Sequence, residues 1–517
     1  MSHYKPDPNK SVNLSIDGIP VMVPEGTTIL EAARKVNVQI PTLCDHPDLR
    51  RRAVCRLCVV ECDGRGKLVA ACANDVWEGV SVVTNNARIT GIRKTIIELL
   101  LANHPQDCLC CVKNTKCELQ SLAERFGIRE SPFRRETCQE NHTRQKIHTR
   151  QKNHTHQENH TCQEIHTRQE IHTLPTISPQ REIAGGTLVR DMGKCVKCGR
   201  CVEACMEIHT VRAINTSHRS VNYEIGVPYG QALEDGPCVF CGQCAVLCPV
   251  GAIYPHEQSA EVWADLNKGE RVAAQLAPSM ASAICAEFNL PPETITVGKI
   301  ITALKLVGFS HVYDACIFLD TSICEQIAEL TLRYKNSYRL PMISCCSQSA
   351  VKFVKEFYPD LVNLLYAGKS PRQIFAVIKK DTPSDVTENG VSKIIHVSIT
   401  PCIAEKFEIG QAEKDDSENT GFALTAGELA GMIRTAGLDP ANLTESTFDG
   451  LAGAFPGKTN APEILTVNGL ANVRVIMDSI RKGECDAALV RIMCCSVCNA
   501  AGSCSENDGT NQPGIKT

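Results

Sequence analysis

The start of the chain alternates apolar and polar residues in a pattern that predicts two strands followed by a helix. In "SVNLSIDGIPVMVPEGTTILEAARKV" two alternating runs flank Asp17-Gly18, a dipeptide typical of a two-residue hairpin turn. Thr28 and Glu31 have the spacing of a capping box, which predicts a helix through Val36. This order predicts a small α+β unit at the beginning of the chain.

Residues 259–517 have a different pattern, in which strand-like apolar runs alternate with helical segments. The runs include "RVAAQLAPSM", "KIIHVSIT" and "CDAALVRIM", and the helical segments include "VGKIITALKLVGF" and "GLANVRVIMDSIRKG". Such alternation predicts an α/β domain, whose functional sites usually lie in the loops at the strand ends. Cysteines cluster near those ends, at Cys345, Cys346, Cys402, Cys494, Cys495 and Cys498.

The stretch "MISCCSQSAVKF", residues 342–353, places two adjacent cysteines where the pattern is otherwise that of the start of an amphipathic helix. A lone Cys-Cys pair is usually two small buried apolar residues. By itself, this stretch leaves open whether Cys345 and Cys346 belong to a core or to a metal site.

Length and composition restrict the class of protein. A chain of 517 residues predicts three or more domains. A net charge of −4 gives no reason to expect nucleic acid or an anionic membrane as partner. The N-terminus has no apolar segment of a secretory signal, and no apolar run is long enough to span a membrane, so we expect a cytoplasmic protein. Its 30 cysteines then favour metal binding over disulfides.

Four cysteines of the first segment, residues 1–85, have the pattern C-x10-C-x2-C-x13-C. Cys44, Cys55, Cys58 and Cys72 suit an iron–sulfur cluster with four thiolate ligands, and a zinc site with four cysteines is the alternative. Strand, strand and helix form the start of a β-grasp ferredoxin, which favours a 2Fe–2S cluster.

Residues 86–130 contain one histidine and three cysteines in "NHPQDCLCCVKNTKCELQ", which follows an apolar helical pattern over 92–101. His104, Cys108, Cys111 and Cys117 are a candidate ligand set for a 4Fe–4S cluster. A surface histidine is the ordinary alternative for His104, and we expect Cys110 to lie outside the set.

Residues 131–183 change in character, since histidines recur there every six residues. They are His142, His148, His154, His160, His166 and His172. The tract has too little apolar content to form a core, which predicts disorder or a frayed helix. Metal binding by the histidines is one interpretation, but an expanded repeat without function is favoured.

Residues 184–258 contain two runs of the form C-x2-C-x2-C-x3-C. This is the bacterial ferredoxin run, in which the fourth cysteine of each run binds the other cluster. The first predicted 4Fe–4S cluster therefore uses Cys195, Cys198, Cys201 and Cys248, and the second uses Cys238, Cys241, Cys244 and Cys205. Pro249 follows the second run as expected, whereas Met206 replaces that proline in the first.

In this order the motifs resemble those of a modular FeFe-hydrogenase (iron-only hydrogenase) catalytic subunit. The first 250 residues or so are also similar to the large iron–sulfur subunit of respiratory complex I. The hydrogenase resemblance in the second half lies in "LPMISCCSQSAVKFVKEFYPDL", "SITPCIAEKFE" and "RIMCCSVCNAAGS". It implies an α/β H domain over 259–517, and hence an α+β and α/β multidomain protein.

The resemblance implies the roles of particular residues in that domain. The family holds its H-cluster, a 4Fe–4S cubane joined to a di-iron centre, on four cysteines that correspond to Cys346, Cys402, Cys495 and Cys498. The last of the four also bridges to the di-iron unit. Cys345 falls where the family has a proton-donating cysteine, and Ser370 and Glu329 match the family's proton path. Gln326 replaces one of its glutamates, and glutamine does not ionise.

Several residues depart from the family pattern around this cluster. Ser347 stands where a proline usually follows the cysteine pair, and Thr400 replaces a methionine. Glu405 replaces a lysine, and a carboxylate beside an electron-rich centre repels it unless protonated. The third loop, "CSVC", is one residue shorter than the family's C-P-G-G-C.

Two functions follow as hypotheses. The first is a hydrogenase that reduces protons reversibly and has one 2Fe–2S cluster, three accessory 4Fe–4S clusters and the H-cluster. Its expected partners are ferredoxin or a flavin-containing NAD(P)H-oxidising iron–sulfur subunit, together with hydrogenase maturation factors. The second is a non-catalytic electron-relay or hydrogen-sensing subunit, whose degenerate H domain holds a lone 4Fe–4S cluster.

Overall fold

A computed structural model of the chain describes most of its length. The described residues are 7, 10–63, 67–133, 181–219, 223–380, 386–387, 390–391, 394–415, 421–450 and 464–494. The predictions for the histidine-rich tract and for Cys495 and Cys498 lie outside them. The chain divides into two units, of which the first has residues 1–182, 190–200 and 248–253 and the second has 183–189, 201–247 and 254–517. The ferredoxin-like segment therefore contributes to both units.

The first unit begins with the predicted hairpin and helix. Strands β1 (Ser11–Ile16) and β2 (Ile19–Pro24) pair antiparallel, with Ile16 opposite Ile19 across the turn. Helix α1 (Ile29–Lys35) starts with the predicted capping box, in which Thr28 and Glu31 bond each other's backbone N–H. Strands β3 (Val59–Cys62), β4 (Lys67–Ala70) and β5 (Ser81–Val83) complete a five-stranded sheet in the order β2-β1-β5-β3-β4.

Two further helices of the first unit pack beside this sheet. They are α2 (Ala87–Ala102), which Asn86 caps, and α3 (Glu118–Arg125). The guanidinium of Arg93 on α2 is buried and donates to the carbonyl oxygens of Leu57 and Val59, so it fixes the helix on β3 and the preceding loop. Arg200 makes a bidentate ion pair with Glu118, the first residue of α3.

The ferredoxin-like segment consists of short elements. They are strands β6 (Arg181–Ala184), β7 (Leu188–Asp191), β8 (Asn215–Ser217), β9 (Glu224–Gly226) and β10 (Ile253–Pro255), and helices α4 (Arg200–Glu203) and α5 (Gln243–Val246). A single π-helical turn, Ala204–Ile208, follows α4 directly and includes Cys205. Such turns are rare and occur often at functional sites.

The second unit contains two parallel sheets, which confirms the α/β prediction for this half of the chain. The first has β11 (Arg271–Leu276), β12 (His311–Asp314), β16 (Ile394–Ile399) and β17 (Gly421–Leu424), in the order β12-β11-β16-β17. The second has β13 (Met342–Cys345), β18 (Ile464–Asn468) and β19 (Leu489–Met493), in the order β13-β19-β18. A small hairpin of β14 (Val386–Thr387) and β15 (Gly390–Val391) precedes β16.

Helices pack against both sheets. Those up to β13 are α6 (Ser259–Asn267), α7 (Met280–Glu287), α8 (Val297–Val307) and α9 (Ala315–Lys335). Those after it are α10 (Gln348–Phe357), α11 (Pro371–Lys380), α12 (Ala404–Asp415), α13 (Ala426–Thr435) and α14 (Leu470–Lys482). Among the described residues, no helix has both the length and the apolar content needed to cross a membrane.

A buried ion pair lies within the second unit beside the first sheet. The ammonium group of Lys406 on α12 lies 3.0 Å from a carboxylate oxygen of Glu428 on α13 and also donates to the carbonyl oxygen of Ala423. Both charged side chains are almost fully buried. Glu428 also belongs to the capping box of α13 with Thr425, so the pair joins α12, β17 and α13.

Candidate iron–sulfur centres

The four cysteines of the first predicted cluster come together in the first unit as two pairs. The thiol of Cys58 lies 3.3 Å from that of Cys72, and Cys44 hydrogen-bonds to Cys55. These contacts raise the pKa of Cys44 and Cys72 and lower the pKa of Cys55, to about 6, and of Cys58. A 2Fe–2S cluster takes two protein ligands on each iron, so two pairs of thiols fit it.

The three cysteines of the next motif, which begins with His104, also lie close to one another. Charges on Cys108 and Cys111 act on the thiol of Cys117, which is buried just before α3. Burial lowers the pKa of His104, and the backbone of Lys194 hydrogen-bonds to this imidazole. A neutral imidazole is the form that binds metal.

A glycine that the sequence interpretation missed fixes the position of one of these thiols. A β-carbon on Gly251 would lie 2.7 Å from the sulfur of Cys111, too close for any other residue to fit without displacing it. Lys194 lies near the same thiol and pairs with Asp107 at 2.9 Å. Gly251 follows the second ferredoxin run by three residues, and no local pattern marks its contact with the earlier motif.

Residues of three predicted centres share one apolar core in the first unit. The core has Leu43 and Leu57 from the β-grasp segment, Ile97 and Leu119 from helices, and Val250 after the second ferredoxin run. The cysteines in it or packed against it are Cys55, Cys117, Cys195 and Cys248. Ligand residues of neighbouring centres are therefore in one packed layer of the molecule.

The ferredoxin cysteines gather in both units. In the first unit, Cys248 lies within electrostatic reach of the half-buried Cys195 and the buried Cys198, its partners in the predicted ligand set. In the second unit, Cys244 lies within electrostatic reach of four other thiols, and burial raises its pKa. Those four are Cys201, Cys205, Cys238 and Cys241.

Three described cysteines of the H domain lie in the loops at the carboxyl ends of parallel strands. Cys346 follows β13, Cys402 follows β16 and Cys494 follows β19. "MISCCSQSAVKF" is thus a strand end and a turn before α10 rather than helix throughout. The amide of Cys494 donates to the sulfur of Cys346 at 3.4 Å, and the hydroxyl of Ser347 lies 3.5 Å from the sulfur of Cys494.

The second ferredoxin run meets these loops within the second unit. A β-carbon on Gly242 would lie 2.8 Å from the side chain of Ile403, the residue after Cys402. The ring of Phe240 stacks on Phe407 of α12 with centroids 4.6 Å apart. The charge of Cys241 acts on the thiol of Cys494.

A chain of hydrogen-bonded side chains starts at Ser344, the residue before Cys345 in the sequence. The hydroxyl of Ser344 donates to the amide oxygen of Gln326 at 2.7 Å, and the amide nitrogen of Gln326 donates to the hydroxyl of Ser322 at 3.2 Å. Ser322 in turn donates to the carbonyl oxygen of Lys369, next to Ser370. The position at which the family has a glutamate thus remains in a connected chain, although its side chain is an amide.

The two other predicted proton-path residues have different partners. The hydroxyl of Ser370 donates to Glu408, a buried carboxylate of α12 that also lies 3.7 Å from the guanidinium of Arg372. Glu329 pairs with Arg333 one helical turn away, at 2.9 Å. The sequence interpretation missed Glu408, although its spacing of three from Glu405 places both acids on one face of a helix.

The surroundings of Glu405 shift its carboxyl toward the neutral form. Burial raises the pKa of this carboxyl above its usual value, and the hydroxyls of Ser398 and Thr400 hydrogen-bond to it. Ser398 is held in turn by Gln275 at 2.8 Å. The raised pKa favours the protonated form, which does not repel an electron-rich centre, and so weakens the electrostatic objection to Glu405 at this position.

No set of three or more His, Cys, Asp and Glu side chains in the described part of the chain is compact enough to enclose a single metal ion. The thiols instead lie in pairs, such as Cys58 with Cys72, and in wider groups, such as the one around Cys244.

Comparison with known proteins decides the family. The chain is 33% identical over 472 residues to the NADP-reducing hydrogenase subunit HndD of Solidesulfovibrio fructosivorans, covering 89% of this chain and 74% of that protein. The chain belongs to the iron-only hydrogenase family. Iron hydrogenase 1 of Clostridium pasteurianum is 30% identical over 454 residues, 86% of this chain and 71% of that hydrogenase.

Family matches along the chain follow the same order as the motifs. Residues 9–87 match a 2Fe–2S cluster binding domain, 93–132 the NADH-ubiquinone oxidoreductase-G iron–sulfur binding region, and 178–258 a 4Fe–4S dicluster domain. Residues 270–461 match the C-terminal domain of the iron-only hydrogenase large subunit. This last match ends before the third cysteine loop.

The predicted similarity to complex I is also confirmed. A subunit of the NADH-quinone oxidoreductase of Rhizobium meliloti is 30% identical over 254 residues, which is 49% of this chain and 25% of that protein. The hydrogenase relatives extend over nearly the whole chain, so the second half is what distinguishes the two families.

Proposed function

We propose that this chain is a hydrogenase subunit that reduces protons reversibly to dihydrogen with electrons relayed through iron–sulfur clusters. The observation that carries the proposal is the packing of Gly242, the residue after Cys241, against Ile403 in the second cysteine loop of the H domain. It brings a predicted ligand of the last accessory cluster beside the loops that would hold the catalytic cluster, where electrons have to arrive.

Each centre has its own ligand set in this proposal. The 2Fe–2S cluster is held by Cys44, Cys55, Cys58 and Cys72. The first 4Fe–4S cluster along the chain is held by one histidine and three cysteines, His104, Cys108, Cys111 and Cys117. The ferredoxin pair uses Cys195, Cys198, Cys201 and Cys248, then Cys238, Cys241, Cys244 and Cys205. The H-cluster is held by Cys346, Cys402, Cys495 and Cys498.

The metal centres carry the electrons and provide the site of bond formation. The protein positions these centres and delivers the protons. The shared apolar core around Cys55, Cys117, Cys195 and Cys248 keeps three centres at fixed separations. Burial of ligands such as Cys58, Cys198 and Cys244 excludes water from parts of the relay, and this limits loss of electrons to solvent.

The side chains around Cys345 form the proton path of the proposal. Cys345 delivers the proton through its thiol, and Ser344, the residue before it, is hydrogen-bonded in a chain with Gln326 and Ser322. Ser370 and Glu329 are the further members expected from the family. Because Gln326 does not ionise, proton supply through this chain is slower than through a carboxyl.

The electron donor is proposed to be ferredoxin or a flavin-containing NAD(P)H-oxidising iron–sulfur subunit. Support comes from the relative named as a subunit of an NADP-reducing hydrogenase and from the similarity of the first half to an NADH-quinone oxidoreductase subunit. Assembly of the catalytic cluster would also require hydrogenase maturation factors.

A second candidate function is a non-catalytic relay or hydrogen sensor with a lone 4Fe–4S cluster. Glu405 at a lysine position, Thr400 at a methionine position and the short "CSVC" loop favour it. Cys345 argues against a pure sensor, because a sensor does not need the proton-donating thiol.

Hydrogen production distinguishes these functions. The full-length chain, co-expressed anaerobically with maturation factors, is supplied with a reduced viologen, and evolved hydrogen is measured by gas chromatography. We expect turnover that falls by at least about a hundredfold in Cys345→Ala, since a positioned acid contributes about 10²–10⁴-fold. Cys324→Ala, which removes an exposed cysteine of α9, is the matched control and should keep the rate. An assembled H-cluster without turnover would overturn the proposal.

A further inference from the structure

Arg200 lies where residues next to the predicted ligands of two clusters meet in the first unit. Its guanidinium is 6% exposed and makes a bidentate ion pair with Glu118, the residue after Cys117, at 2.6 and 2.9 Å. The same guanidinium donates to the carbonyl oxygen of Asp45, the residue after Cys44, at 2.9 Å. One buried cation therefore joins the neighbours of a 2Fe–2S ligand and of a ligand of the first 4Fe–4S cluster along the chain.

Arg200 also belongs to the ligand run of a third centre, the first ferredoxin cluster. Its backbone amide hydrogen-bonds to the thiol of Cys198, and its charge lies within electrostatic reach of that thiol. Cys44 of the 2Fe–2S ligand set lies within electrostatic reach of the same guanidinium. The amide of Glu118 donates to the carbonyl oxygen of Pro249, which follows the second ferredoxin run, at 2.9 Å. Both halves of the ion pair are thus tied to residues of predicted ligand segments.

A buried positive charge beside a cluster changes how readily that cluster takes up an electron. Cluster potentials depend on net charge, on hydrogen bonds to the sulfurs and on solvent exposure. A cation stabilises the reduced cluster, which has one more negative charge than the oxidised cluster, and solvent screens a buried cation less than an exposed one. Glu118 opposes this effect, because its carboxylate offsets part of the charge of Arg200.

We propose that Arg200 raises the reduction potentials of three accessory clusters together by holding one shared positive charge among them, and that Glu118 moderates that charge. The three are the 2Fe–2S cluster, the first 4Fe–4S cluster along the chain and the first ferredoxin cluster. The inference rests on the proposed function only in requiring that these clusters assemble on their predicted ligands. Arg200 binds no iron and takes up no electron in this role. Because the same charge stabilises all three reduced clusters, its loss lowers all three potentials.

Substitutions on the two sides of the ion pair separate this role from a purely structural one. Full-length wild type, Arg200→Gln, Arg200→Lys and Glu118→Gln are expressed without maturation factors and reconstituted anaerobically with iron and sulfide. Each protein is reduced stepwise with dithionite in the presence of redox mediators, and the midpoint potentials are read from the EPR signals. The 2Fe–2S signal is distinguished from the 4Fe–4S signals by its slower relaxation, which keeps it visible at higher temperature.

Arg125→Gln is the matched control in the same unit. The guanidinium of Arg125 is exposed and also links two segments, through the carbonyl oxygen of Gln39 at 3.0 Å. Neither of these residues is adjacent to a predicted ligand. The control therefore removes the same charge and a comparable hydrogen bond without removing a buried cation.

We expect Arg200→Gln to lower the midpoint potentials of the three clusters, with each reduction equilibrium shifted by about tenfold, which is ~59 mV for one electron. Glu118→Gln should raise the same potentials. Arg200→Lys keeps the charge without the bidentate fork and should stay near wild type. Arg125→Gln should leave the three potentials unchanged.

Wild-type potentials in both Arg200→Gln and Glu118→Gln, with the clusters present, would overturn the inference and leave the proposed function intact. Shifts of the same sign in both variants would also overturn it, because a disturbed fold rather than the charge would then move the potentials. If Arg200→Gln does not fold, Glu118→Gln decides: a raised potential supports the inference, and an unchanged or lowered potential overturns it. Absence of the reduced cluster signals from wild type would overturn both the inference and the proposed relay.

Discussion

Gly242 and Ile403 approach so closely that a β-carbon on the glycine would lie 2.8 Å from the isoleucine side chain. Gly242 follows a ligand of the second predicted ferredoxin cluster, and Ile403 follows Cys402 in the second loop of the H domain. Stacking of Phe240 on Phe407, with Lys352 above both rings, extends the same contact. The last step of the proposed relay thus has a close-packed protein contact.

Gly242→Ala should disturb this contact. Gly242 has a φ of +77°, so any side chain costs about 1–2 kcal/mol there. The clash with Ile403 adds about 1–3 kcal/mol of overpacking. We expect a lower thermal midpoint and an altered EPR signal of the second ferredoxin cluster.

Gly230→Ala is the matched control, because Gly230 has a φ of +67° but open space around its β-position. It should show the backbone cost alone and a normal EPR signal. Equal effects of the two substitutions would mean that the contact with Ile403 has no role of its own.

Gly251→Ala should act on the centre predicted at His104 and the three cysteines that follow it. The added carbon would lie 2.7 Å from the sulfur of Cys111, so the thiol has to move. We expect loss or distortion of one 4Fe–4S signal while the 2Fe–2S signal is kept. Gly91→Ala is the control within the same unit, since its β-position in α2 is open, and it should stabilise the fold by about 0.5–1 kcal/mol. A normal spectrum for Gly251→Ala would disprove the packing argument.

Gln326→Glu should accelerate hydrogen production. The substitution places an ionisable group between Ser344 and Ser322, where an amide now links the two hydroxyls. We expect turnover to rise about tenfold or more, which is less than the about 10²–10⁴-fold that a positioned acid or base contributes in full. Gln326→Leu, which breaks the chain, should give no gain. If Gln326→Glu left the rate unchanged while the cluster assembled, protons would not travel by this chain.

His209→Phe should reduce the loss of folding stability that occurs as the pH falls below neutral. His209 is 3% exposed, both of its ring nitrogens are without hydrogen-bond partners in the described structure, and burial lowers its pKa to about 4. The folded state therefore binds fewer protons than the unfolded state, in which the pKa is about 6.5, and stability falls as the pH drops below that value.

Chemical denaturation at pH 7 and pH 5 measures this effect. We expect wild type to lose about 2 kcal/mol more than the phenylalanine variant between the two pH values. His218→Phe, at an exposed histidine, should behave as wild type. The same loss in His209→Phe as in wild type would show that His209 is not the responsible group.

Local patterns predicted much of the fold because they depend on nearby residues. The hairpin at Asp17-Gly18, the capping box of Thr28 and the strand and helix segments of the second half are all confirmed. The cysteine spacings predicted ligand sets that stay predictions, and around Cys244 the structure shows the three predicted partners together with Cys201.

The contacts between segments could not be predicted in this way. Gly251 against Cys111 and Gly242 against Ile403 join residues distant in the sequence, and neither contact leaves a mark on the local pattern. The raised pKa of Glu405 depends on burial that only the fold creates.

The third cysteine loop shows the same limit. The resemblance to the family placed a ligand at Cys495, which lies outside the described residues, and the structure shows its neighbour Cys494 beside Cys346. The parallel pairing of β13 and β19 brings Cys494 to this place, and that pairing joins segments distant in the sequence.

Infrared spectroscopy is the decisive measurement for hydrogenase chemistry at an H-cluster. The full-length protein is purified anaerobically after co-expression with maturation factors, beside a control hydrogenase matured in the same host. We expect bands in the region where metal-bound CO and cyanide absorb. A protein that contains iron and sulfide but lacks these bands, while the control shows them, would contradict the hydrogenase function and favour the electron relay.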